Sequence, residues 1–163
     1  VGHHGLLGKQ NLYEHSTRVP FIITGPGIPK KKLIPTPVYL QDIMPTTLEI
    51  AQVKKPDHVQ FKSLIPLVKN LNQKPPYEEI YGAYLDAQRS ITVGNEKLIV
   101  YPGVPIVRVY DIKNDPLEIE DIANTEKGKI IVSKLFPRLV KIQKNMEDSL
   151  DLTKSFPELS KGI

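Results

Sequence analysis

No cysteine occurs in the 163 residues, which excludes disulfides and thiolate metal sites and leaves the redox environment open. No uninterrupted apolar run approaches the length that a membrane helix needs, so no membrane partner is expected. The first residues lack the charged, apolar and small-residue layout of a signal peptide, an observation that is silent on compartment. The 22 basic residues exceed the 18 acidic ones, for a net charge of +4, which favours acidic partners in general. The one basic cluster, Lys30-Lys31-Lys32, follows a Gly-Pro-Gly-Ile-Pro turn and has no aromatic interleaving. It reads as a solvated loop, and no nucleic-acid partner is expected. With 40% apolar and 25% charged residues the chain is globular in composition and long enough to build a core.

What is present is concentrated at the start. Residues 3–20, from His3-His4-Gly5-Leu6-Leu7-Gly8-Lys9 through Tyr13-Glu14-His15 to Arg18-Val19-Pro20, hold three histidines, a glycine-flanked lysine, a glutamate and an arginine. Gly8 removes the β-carbon beside Lys9, so a ligand can approach the backbone while the ammonium reaches over it. A flexible cation beside open backbone suits a tetrahedral oxyanion; the alternative is an ordinary surface loop with solvated side chains. Glu14 and Arg18 are expected to pair and fix the loop. His3, His4 and His15 lack the i, i+4 helical spacing of zincins, and no metal ligand set is expected in this chain.

Val19 to Thr24 is a short apolar, β-branched run bounded by Pro20 and Gly25-Pro26-Gly27, the pattern of a strand buried on both faces of a mostly parallel sheet. A helix is expected over about 41–53, with Asp42 as its N-cap, Pro45 in its first turn, and Ile43, Leu48, Ile50 and Ala51 on its apolar face. His58 reads as a surface histidine, Ser63 to Leu67 as a short capped helix, and Asn70 to Tyr77 as a linker. Strands are expected at 79–85, 89–93, 96–101 and 106–111, with Gly94-Asn95 as a two-residue hairpin turn. Asp111, Asp115 and Glu118 are expected to make turns and caps, their spacing not being that of an EF-hand loop. Thr125 to about Asp151 has helical periodicity, with Ile130, Ile131, Leu135, Leu139, Val140 and Ile142 on one side and a kink or restart at Pro137. The tail from Leu152 is expected to fray.

The order Gly-x-His-Gly-Leu-x-Gly-Lys, then Tyr-Glu, Arg-Val-Pro and Gly-Pro-Gly, resembles the sulfatase family of the alkaline phosphatase superfamily. Val109-Tyr110-Asp111, Asn114-Asp115-Pro116 and Glu118 resemble the Leu-Tyr-Asp-Leu-x-x-Asp-Pro-x-Glu signature near the end of sulfatases. The resemblance covers the chain as the C-terminal part of a larger enzyme. It implies an α/β fold in which the end of a mostly parallel central sheet with flanking helices (residues 1–76) is followed by a small antiparallel sheet on a C-terminal helix (residues 77–163). It also implies hydrolysis of sulfate esters of small molecules or glycans by a formylglycine nucleophile with a divalent cation, usually Ca²⁺. Both of those lie outside this chain, in the N-terminal part of the same enzyme, so the chain alone is expected to be inactive. Lys9 matches the sulfate-contacting lysine. His4 is the second catalytic candidate, by contact with the sulfate or protonation of the leaving oxygen, and His15 a further substrate-binding candidate; His3 stands where many bacterial homologues have glutamate. Related bacterial enzymes are commonly exported, which favours a periplasmic or extracellular location. A phosphodiester or phosphonate monoester hydrolase of the same superfamily and a non-catalytic basic binding module are the alternatives.

Overall fold

The structure is a computed structural model that describes residues 2–70 and 72–161. Two compact units are present: Val1–Val19 together with Tyr81–Ile163, and Pro20–Ile80. The expected division near residue 76 lies close to the second boundary, and the first nineteen residues group with the C-terminal unit.

The C-terminal unit is built on four antiparallel strands in sequential order, β1 (Ile80–Tyr84), β2 (Gln88–Val93), β3 (Glu96–Tyr101) and β4 (Ile106–Asp111). Gly94 takes the left-handed φ of 59° that the tight turn between β2 and β3 requires, and sets the register Val93↔Glu96 through Arg89↔Val100. Successive residues of a strand face opposite sides. Leu98 and Val100, with Ile91 and Val109, therefore meet Ile131, Leu135, Phe136 and Leu139 of helix α4 (Glu126–Asn145) in the main core. The alternate residues of β3 face the other way, where Ile99 packs with Tyr13 and Tyr110. The sheet is thus covered on one side by α4 and on the other by the chain's first segment.

Helix α4 starts at Thr125, whose side chain accepts the Gly128 N–H at 3.0 Å. Pro137 sits inside α4 without ending it, and Ile130, expected on the apolar side, is 67% exposed. At Gly128 the helix crosses the preceding turn so closely that a β-carbon would lie 1.7 Å from the Ile122 carbonyl oxygen. Gly128→Ala should therefore destabilise the protein by about 1–3 kcal/mol, because displacing that backbone outweighs the better helix propensity of alanine. Urea unfolding checks it, with Gly103→Ala, at a position with nothing within 4 Å, expected to be near neutral.

The tail does not fray as expected. Asp151 caps the short helix α5 (Leu152–Ser155), and Leu152 and Phe156 are buried in the main core. Asp148, just after α4, accepts from Arg89 and Tyr81 and so ties the helix end to β1 and β2. Burial would raise its pKa, but those donors outweigh it and hold the carboxyl below its usual range.

In the unit Pro20–Ile80 the expected strand at Val19–Thr24 does not form. The segment has no regular structure, and Val19 and Ile22 are 47% and 84% exposed. An apolar run becomes a strand only where neighbours take its backbone N–H and C=O groups. The only sheet among the described residues is antiparallel and has no place for it. The fold is α/β through the small sheet and its helix; the expected parallel sheet is not part of the described chain.

The expected helix at 41–53 is a 3₁₀ turn (Leu40–Asp42) running into α2 (Ile43–Ile50), and α3 (Ile65–Lys69) follows. Ile43 and Ile50 are exposed, and the buried side of α2 is Pro45 and Thr46, whose hydroxyl accepts the Leu64 N–H at 2.9 Å. Asp42 does not cap α2 through its side chain. Fully buried, it accepts from Tyr39 N, Lys62 N and the Tyr77 hydroxyl, cross-linking three loops.

Candidate active-site segment

The first segment is polar in sequence, yet Asn11, Leu12 and Tyr13 are buried on the sheet. Leu12 N–H donates to Gln88 Oε1 at 2.9 Å, and the leucine packs against Gly82, where a β-carbon would lie 2.6 Å from Ser90 Oγ and 3.3 Å from Leu12. The Tyr13 and Tyr101 hydroxyls share a hydrogen bond of 2.9 Å, and Asn11 Oδ1 accepts the Tyr13 N–H at 3.1 Å. Burial, with Tyr13 next in effect, pushes the Tyr101 and Tyr110 hydroxyls well above their ordinary values, so both remain neutral.

Helix α1 (Glu14–Thr17) follows, and its first residue is held by charge. Lys97, on the β3 face that carries Ile99, is 2% exposed; its Nζ lies 2.8 Å from Glu14 Oε1 and 2.8 Å from Glu118 Oε1. Glu118 Oε2 also accepts the Glu14 N–H at 2.5 Å. Glu14 therefore pairs with Lys97 and not with Arg18 as expected, because the ammonium buried on the sheet requires a carboxylate and Arg18 is exposed. Burial raises the pKa of Glu118, opposed by Lys97. Asp111 and Asp115 make the expected turn contacts, with Asn114 and with Glu120 N. Glu118 does not belong with them: it is a buried ion-pair partner.

The three histidines converge although their spacing does not predict it. His3–Gly5 is a single 3₁₀ turn in which His4 takes a left-handed φ of 55°. The His4 ring stacks on Tyr13 at 3.9 Å, and the His3 ring lies 4.5 Å from His4 and 5.2 Å from His15. One ring nitrogen from each of the three falls within 4.8 Å of the others. His15 Nε2 meets the Asn11 amide at 3.2 Å, while His3 Nδ1, His4 Nε2 and His15 Nδ1 are buried and without a hydrogen-bond partner. Burial first, and then the neighbouring imidazoles, lower the His4 and His15 pKa values, so both rings are neutral at pH 7.

Lys9 is exposed and its ammonium has no ion-pair or hydrogen-bond partner among the described residues. The histidines are the only group of three or more His, Cys, Asp or Glu side chains placed to hold a metal among the described residues. Calcium takes hard oxygen ligands, so three imidazoles do not fit it, and these residues provide no Ca²⁺ site. His58 is exposed, as expected.

Lys97 and Tyr13, which fix this segment, were not evident as functional supports. The available signal was in β3: Leu98-Ile99-Val100-Tyr101 is apolar without alternation, the mark of a strand covered on both faces, which makes its lysine an internal one.

Residues 2–145 match the family described as N-sulphoglucosamine sulphohydrolase, C-terminal. Arylsulfatase K of Rattus norvegicus is 33% identical over 143 residues, covering 80% of this chain and 25% of the relative. The arylsulfatase of Clostridium perfringens is 30% identical over 168 residues, covering 96% and 35%. A solved structure of a protein in complex with its substrate, D-glucosamine-2-N,6-O-disulfate, superposes with a TM-score of 0.60 at 26% identity, covering 66% of this chain and 24% of that one. The chain thus spans about a quarter to a third of the length of the curated relatives it matches. It belongs to the N-sulphoglucosamine sulphohydrolase C-terminal family and is a C-terminal sulfatase domain.

Proposed function

We propose that the protein carrying this domain hydrolyses sulfate esters, and that residues 3–15 line its sulfate-binding site. The observation that carries the reading is Lys9: an exposed ammonium beside Gly8, without a partner among the described residues, on a segment pinned by Tyr13 and Glu14. A cation that reaches the sulfuryl oxygens stabilises the negative charge that develops on them. His4 Nε2 is a buried ring nitrogen with no hydrogen-bond partner among the described residues, and His4 is the second candidate, for contact with the sulfate or protonation of the leaving oxygen. His15 is the third contact. The nucleophile and the oxygen ligands for a divalent cation have no counterparts among the described residues.

The substrate class is a sulfated small molecule or glycan, with a sulfated amino sugar favoured by the ligand of the superposing structure. Release of inorganic sulfate by the intact protein from an aryl sulfate and from N- and O-sulfated glucosamine tests the reading. Turnover of at least one is expected, with an aryl phosphonate monoester much slower. Phosphonate cleavage outpacing every sulfate ester would replace it with the other hydrolase chemistry.

A further inference from the structure

We infer that His3, His4 and His15 form a three-imidazole site for a divalent transition-metal ion of the Zn²⁺ class. Zinc and its neighbours accept histidine nitrogens in tetrahedral sites with three protein ligands and one open position. In such a site the ligand nitrogens lie about 3.4 Å apart, from Zn–N bonds of about 2.0–2.1 Å. The three candidate nitrogens already fall within 4.8 Å of one another, so closure takes shifts of up to about 1.4 Å.

Two further observations point to a cation. Each histidine has a buried ring nitrogen without a partner, an arrangement that calls for a ligand or a proton to complete it. The residues sit on rigid supports: His4 is stacked on Tyr13, and His15 lies on α1 next to the Glu14–Lys97 pair. One contact works against binding. Asn11 Oδ1 is occupied by Tyr13 N–H, so its amide nitrogen donates to His15 Nε2 and the neutral ring carries its proton on Nδ1. Coordination through Nδ1 displaces that proton, and coordination through Nε2 breaks the Asn11 hydrogen bond, so binding costs one local rearrangement.

The inference does not rest on the sulfate reading, since imidazoles take the ion whether or not Lys9 meets a sulfate. Its test is calorimetric titration of Zn²⁺ into the protein, with Ca²⁺ in excess to occupy oxygen-donor sites, and Co²⁺ titration followed by visible absorption. One ion per chain is expected, with the intense d–d bands of four-coordinate cobalt. His4→Ala and His15→Gln should each weaken binding by about 10–100-fold or more. His58→Gln should leave it unchanged. Absence of Zn²⁺ binding by the folded wild-type protein, or binding that survives both cluster substitutions, overturns the site whatever the sulfatase assay shows.

Discussion

Replacing Lys9 by alanine lowers kcat/KM for a sulfate ester by about 10²–10³-fold, the loss seen when one preorganised oxyanion donor is removed, while the protein keeps its fold and stability. The two halves of that expectation have different causes. The Lys9 side chain is exposed and has no polar partner among the described residues, so its removal leaves no buried group unsatisfied. Surface substitutions of this kind stay within about 0.5 kcal/mol. If the ammonium acts only as sulfuryl charge develops, kcat falls with KM little changed; if it binds ground state and transition state alike, KM rises instead. Steady-state kinetics beside a urea melt separate these outcomes, and near-normal kcat/KM in the variant removes Lys9 from the site.

Lys97→Met is the companion experiment, with its largest effect on stability. Lys97 is the sole ammonium between two carboxylates, one of them, Glu118, only 1% exposed. Removing one partner of a buried pair strands the other charge, at a cost of about 3–5 kcal/mol. The urea midpoint should fall with the m-value unchanged. Adding Glu118→Gln to Lys97→Met should recover part of the loss, because the stranded charge and not the missing methylenes is what destabilises. A single variant within about 1 kcal/mol of wild type would show that the triad is solvated. Since Glu14 opens the helix that carries His15, the same change should loosen the segment that presents Lys9.

The four strands and the long helix were legible in the sequence because their signals are local. Gly94-Asn95 marks a turn between two strand-forming runs, and an apolar stripe recurs at helical spacing from Ile131 to Ile142. The strand expected at Val19–Thr24 failed for a non-local reason: its composition is right, but a strand exists only with neighbours, and the one sheet described offers none. The Glu14–Arg18 pair failed similarly, since spacing along the chain says nothing about an ammonium 83 residues away.

By itself the sequence determined which chemistry is available: a glycine-flanked lysine, three imidazoles and no thiol, in an order shared with sulfatases. Only the tertiary structure decided where those groups go. It buried Tyr13 and Asn11 on the sheet, drew Glu14 to Lys97, and through a left-handed turn at His4 gathered imidazoles that are eleven and twelve residues apart along the chain. The physical reason is that burial couples distant residues: one lysine placed inside by the alternation of β3 requires a carboxylate, and the segment that provides it is held in place.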